Sequence, residues 1–127
     1  MVVFNTTFEA TPSSPPRDLT VVPVEKNPTQ VNLNWQPPKQ ANGLITSYVI
    51  YYTTNYDPRD KDWIPHFVKG DKITTVIQNL QPSTTYFFRI QARNSKGSGP
   101  SSTRVSFTTG EGPVSYESNL FGRGKRP

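Results

Sequence analysis

The chain contains one histidine, His66, and no cysteine. A thiol nucleophile, a zinc finger and a disulfide all require cysteine and are excluded. An imidazole acting as general base needs an orienting partner and a nucleophile close to it. His66 follows Pro65 in a short apolar run and reads as an exposed or half-packed side chain. Asp57, Asp60 and Asp62 form the one carboxylate cluster that suggests a cation site. Their spacing is not that of an EF-hand loop, and Arg59 and Lys61 place positive charge between them, so a solvated loop is expected. No glycine-rich stretch follows a strand-like run and opens a helix, which leaves nucleotide binding without support. The expectation is a non-enzymatic protein with no cofactor and no metal.

Charge and aromatic content suggest surface chemistry instead. Lys and Arg number 14 against 9 Asp and Glu, for a net charge of +5 and a pI near 9.6. That balance suits nucleic acid, anionic lipid or a sulfated polysaccharide, and is equally ordinary solubility charge. Arg89, Arg93 and Arg104 interleave with Tyr51 and Phe87 in runs that alternate in polarity. Interleaved cations and rings can stack nucleic-acid bases, but an arginine over a ring is also an ordinary surface contact. With Val49 these residues make a candidate protein- or glycan-binding patch: Val49, Tyr51, Phe87, Arg89, Arg93 and Arg104. The competing expectation is that the arginine stems lie over the rings and leave nothing to bind.

Such a patch requires strands to bring it together. Thirteen prolines and eight glycines disfavour long helices. "RDLTVVPV", "TQVNLNWQ", "TSYVIYYTT", "WIPHFVK", "KITTVIQNL", "TTYFFRIQARN" and "SSTRVSFTT" read as seven short strands separated by turn residues. Pro23 and Pro65 suit edge strands. Val31, Leu33 and Trp35 share one face, as do Tyr48, Ile50 and Tyr52, and Tyr86, Phe88, Ile90 and Ala92. Seven alternating strands of this spacing predict an all-β sandwich of immunoglobulin-like type. In that architecture the third, sixth and seventh runs share a sheet, which would gather the six patch residues on one outer face.

"NLQPSTTY" ends in Tyr86 at the head of the sixth run. A tyrosine there bonds through its hydroxyl to backbone a few residues upstream, so Leu80, Tyr86 and the core Trp35 are structural hallmarks. The expected domain is 15–109. Residues 1–14 and 110–127 lack the alternation needed to bury apolar surface and are expected to be a flexible linker and a flexible polar, basic stalk.

Trp35 followed by two prolines, Asn42-Gly43-x-Ile45-x-x-Tyr48, Leu80-x-Pro82-x-x-x-Tyr86 and Asn94-x-x-Gly97-x-Gly99-Pro100 together resemble a fibronectin type III domain over residues 15–109. "NLNWQPPKQANGLITSYVIYYTT" and "YFFRIQARNSKGSGP" further resemble the membrane-proximal repeat of the netrin-receptor family, of the DCC, neogenin and Frazzled type. The resemblance implies the extracellular portion of a single-pass plasma-membrane receptor. Its implied partners are netrins or repulsive guidance molecules, heparan sulfate, and neighbouring domains of the same receptor, with no nucleic acid. A spacer repeat without direct ligand contact, or a cytosolic array module, are the alternatives. "MVVF" is too short for a signal-peptide core, and no run approaches the ~18 apolar residues of a membrane span. Asn5-Thr6-Thr7 is an N-glycosylation acceptor, whereas proline blocks Asn27-Pro28-Thr29. Arg123 to Arg126 resembles a basic protease site, but Pro127 after it makes a basic stalk end the expected reading.

Overall fold

The computed structural model describes residues 10–111. These form eight strands: β1 (Arg17–Val24), β2 (Asn27–Gln36), β3 (Ser47–Thr53), β4 (Ile64–Lys69), β5 (Thr74–Ile77), β6 (Thr85–Asn94), β7 (Gly97–Ser98) and β8 (Val105–Thr108). One sheet runs β1-β2-β5, and the other runs β4-β3-β6 with β7 and β8 both along the far side of β6. All pairings are antiparallel. The eighth strand is β7, a two-residue pairing with β6 inside "SKGSGP", a segment whose composition reads as a turn. Pro100 has no N–H to give to a ladder, so the chain leaves β6 after Ser98 and rejoins it at Val105. Gly99 N–H to the Ala92 carbonyl (2.9 Å) and Ser102 N–H to the Ile90 carbonyl (2.9 Å) hold the intervening segment against β6.

Side chains of period two from both sheets meet in the middle. Val31, Leu33 and Trp35 of β2 pack with Tyr48 and Ile50 of β3 and with Phe88, Ile90 and Ala92 of β6. Trp35 meets Tyr48 edge-on, with ring centres 5.4 Å apart. Burial pushes the Tyr48 phenol above its ordinary value, and the Trp35 indole beside it pulls weakly the other way. The indole N–H itself makes no hydrogen bond of ordinary geometry.

The Tyr86 hydroxyl accepts a hydrogen bond from the Gln81 N–H at 2.7 Å, and Leu80 is buried beside it. Asn79 (φ 63°) and Ser83 (φ 51°) flank this corner in left-handed conformations. Asn tolerates that region through local side-chain bonding, whereas Ser83 adopts it at a steric cost. Pro23 and Pro65 both lie on edge strands, where a missing N–H leaves no partner unsatisfied. His66 pairs with Ile50 across β4 and β3, and its Nε2 lies 3.1 Å from Thr75 Oγ1 of β5. It thus links the two sheets at their open side, and burial lowers its pKa below the usual histidine range.

Packed structure begins before residue 15 and reaches Gly110. Pro12 is fully buried, and the Ser13 N–H bonds the Gln40 carbonyl at 3.0 Å. Residues 10–14 are therefore part of the sandwich rather than of a linker. Their apolar content is too low to signal burial, and they are held by polar contacts to distant loops. At the other end Thr109 is buried, its hydroxyl donating to the Gln81 carbonyl at 2.6 Å, and the Gly110 carbonyl accepts from the Ser83 N–H at 2.9 Å. Asn5 and the basic residues Arg123 to Arg126 lie outside the described residues.

Candidate functional site

Register fixes the outer face of the larger sheet. Tyr51 stands opposite Arg89, Val49 opposite Gln91, Ser47 opposite Arg93, and Thr53 opposite Phe87. On the other side of β3, Pro65 faces Tyr51, Phe67 faces Val49, and Lys69 faces Ser47. Phe87 in turn faces Ser106 of β8. Because successive side chains alternate, these residues all project away from the core.

Two guanidinium stacks organise the lower half of the face. Arg89 lies over the Tyr51 ring at 4.4 Å and beside the Trp63 ring at 4.7 Å, and it also donates to Ser101 Oγ. Arg104 lies 5.1 Å from the Phe87 ring and 5.2 Å from the Tyr56 ring, and its NH1 donates to the Tyr56 carbonyl at 2.9 Å. Tyr56 and Phe87 meet edge to face, 5.7 Å apart. Each cation–π contact is worth about 0.5–1 kcal/mol at an exposed site and more when desolvated. Together the stacks pin the loop between β3 and β4 onto the sheet.

The expected patch is thus partly assembled. Tyr51 joins Arg89 in one stack and Phe87 joins Arg104 in the other, with Tyr51, Phe87 and Arg89 half-buried. Arg93 lies at the far end of β6, exposed and apart from the stacks. Val49 was expected to be exposed, but it is only 1% exposed. It points outward from the second row, where Phe67, Gln91 and the Tyr51–Arg89 pair stand around it, and a short side chain among longer ones is roofed over. Among the described residues the most exposed rings are two outside the expected patch: Tyr56 at 73% and Phe67 at 62%. Trp63 is likewise outside the expected patch, although its parity with Pro65 and Phe67 assigns it to this same face. Tyr56 sits in an irregular loop that carries no such parity.

Asp62 Oδ2 is engaged by the Arg59 N–H (2.9 Å) and the Asn55 side-chain amide (3.1 Å), so this carboxylate closes its own loop. Among the described residues no group of three or more His, Cys, Asp or Glu is placed to hold a metal, and no helix is long and apolar enough to cross a membrane. The arrangement presents exposed rings and arginines on one sheet face.

Comparison with known proteins bears on the family and the fold. A family model described as the fibronectin type III domain matches residues 14–108. Over 109 residues, 86% of the chain, the sequence is 50% identical to human Neogenin and 48% identical to human Netrin receptor DCC. It spans about 8% of the length of each. The solved third fibronectin III domain of human KIAA0343 protein superposes with a TM-score of 0.69 at 29% identity, covering 82% of this chain and 87% of that one.

Proposed function

We propose that this chain, which belongs to the fibronectin type III family, is a non-enzymatic extracellular interaction module of a guidance receptor of the netrin-receptor kind. The observation that carries the reading is the 50% identity over 109 residues to a region of Neogenin, matched by 48% to Netrin receptor DCC. On this reading the module belongs to the outer portion of a single-pass plasma-membrane receptor. Its partners are an extracellular protein, a netrin or a repulsive guidance molecule, and adjoining domains of the same receptor.

The contact surface on this reading is the outer face of the larger sheet. Tyr56, Phe67, Arg93 and the outer edges of the two stacks (Tyr51, Phe87, Arg89 and Arg104) would meet the ligand. Large rings and arginines are the side chains that dominate protein interfaces. Val49 lies beneath them as support. The test is the double substitution Tyr51→Ser with Phe87→Ser, measured for binding of purified netrin and of a repulsive guidance molecule, with folding checked by circular dichroism. A tenfold or greater loss of affinity is expected, about 1.4 kcal/mol.

A second reading, a spacer repeat, is favoured by one feature: Arg89 and Arg104 are already engaged with the domain's own rings. Unchanged affinity for both proteins and for heparin would leave that reading in place. Heparin belongs in the panel because Lys69, Lys72, Arg93 and Lys96 all stand at the end of the sheet where β4 and β6 finish, with Asp71 as the acid in that group.

A further inference from the structure

The segment "NSKGSGP", from the end of β6 through β7, has a partner that strand alternation does not require, namely the chain's own entry segment. Asn94, only 7% exposed, directs its side-chain amide at three carbonyls: Ala10 (2.8 Å), Ala41 (2.9 Å) and Asn42 (3.3 Å). An amide NH2 has two hydrogens, so the longest contact shares one of them. Its Oδ1 accepts from the Lys96 N–H at 2.9 Å, which closes the turn. Asn42, in a left-handed conformation (φ 54°), donates to the Thr11 carbonyl (2.9 Å) and to Ser13 Oγ (3.1 Å). Ser14 Oγ accepts from the Gln40 N–H at 2.8 Å.

The glycines of the turn make room for this segment. A Cβ on Gly97 would lie 3.2 Å from the Thr11 methyl, and its φ of 137° is one that L side chains rarely adopt. A Cβ on Gly99 would lie 2.7 Å from the Pro12 carbonyl oxygen and 2.8 Å from Pro12 Cβ. Real Cβ atoms do not approach so closely, so glycine is required here by the strap that lies across it.

We infer that residues 10–14 are a locked entry strap with Asn94 as its latch. The fold itself, rather than a free hinge, then sets the direction in which the incoming chain meets the sandwich. The surface that Asn94, Asn42, Gly97 and Gly99 make is an internal docking site for an uncharged Ala-Thr-Pro-Ser-Ser segment. That a neighbouring receptor domain is the body so oriented rests on the function proposed above; the latch rests on the geometry alone.

The experiment uses the whole 127-residue chain, labelled with nitrogen-15, and follows amide hydrogen exchange. In the parent chain the Ser13 N–H should exchange at least tenfold more slowly than in an unstructured peptide. Asn94→Asp keeps an acceptor for the Lys96 N–H but removes both amide donors. It should speed Ser13 exchange at least tenfold relative to the core amides of β3 in the same sample. Gly99→Ala leaves Asn94 intact and presses a methyl on Pro12, with the same expected result, and it carries the test if Asn94→Asp does not fold. A peptide-like rate for Ser13 in the parent chain overturns the strap. An unchanged ratio in the folded variants overturns the latch. Loss of netrin binding with Ser13 protection intact would concern the proposed function and leave the latch standing.

Discussion

Tyr86 has one polar duty, to accept the Gln81 N–H at 2.7 Å inside a corner that its own ring helps to bury. Replacing it with phenylalanine keeps the ring and leaves that N–H without its partner, so Tyr86→Phe should cost about 1–3 kcal/mol in urea or thermal denaturation. An unchanged midpoint would mean that the corner does not depend on this bond. Trp35→Ala removes the largest buried side chain and should cost about 3–5 kcal/mol, a large part of the stability of a domain this size. Both roles can be read in the sequence, because a ring at a fixed place in an alternating run has one face to occupy. Val49 could not be read so. Alternation assigns a side chain to a face, but whether that face is covered depends on neighbours contributed by other strands.

Strands and loops add a second level, where the two guanidinium stacks decide how the loop between β3 and β4 sits. Arg89→Lys keeps the charge but loses the flat group lying between Tyr51 and Trp63. About 0.5–2 kcal/mol of stability should be lost, with larger exchange rates in residues 54–62 than in β2. Stability changing by less than 0.3 kcal/mol, roughly the error of such a comparison, would make the stack ornamental. His66 gives a pH dependence at the same scale. Burial lowers its folded pKa below the ordinary 6.5, so the unfolded chain takes up the proton first as pH falls. The contribution of neutral His66 is therefore fully present above about 6.5 and is lost as pH drops through that value toward the folded pKa. Denaturation at pH 7.5 and pH 5 should show less stability at the lower pH. His66→Gln should reduce that difference, and an equal difference in both chains would refute the assignment. The strands themselves were legible from period two. The short β7 was not, since Gly97 and Ser98 sit in a glycine-rich segment whose composition reads as a turn.

At the scale of the molecule the sandwich and its two-sheet order follow from composition and alternation, but its limits do not. "ATPSS" has the composition of a linker, and the contacts that make it structure reach far along the chain, 84 residues in the case of Asn94 and Ala10. No local pattern encodes such a contact. A chain beginning at residue 15 should therefore be less stable than one beginning at residue 10, by about 1–2 kcal/mol from the lost bonds and the unburied Pro12. Equal melting temperatures would show that the strap adds nothing to the fold. The strap also decides how the domain would carry load. The chain enters beside Asn94 at one end of β6 and leaves at Thr109, bonded to Thr84, at the other end of that strand. A pull on the two termini then runs along the length of β6, about 30 Å. The first bonds to bear it at the entry are the side-chain bonds of the latch, with the sheet ladders behind them. Peeling off five residues would lengthen the tether by roughly 17 Å while the core stays whole, so the latch would act as a fuse that yields under tension before the sheets do.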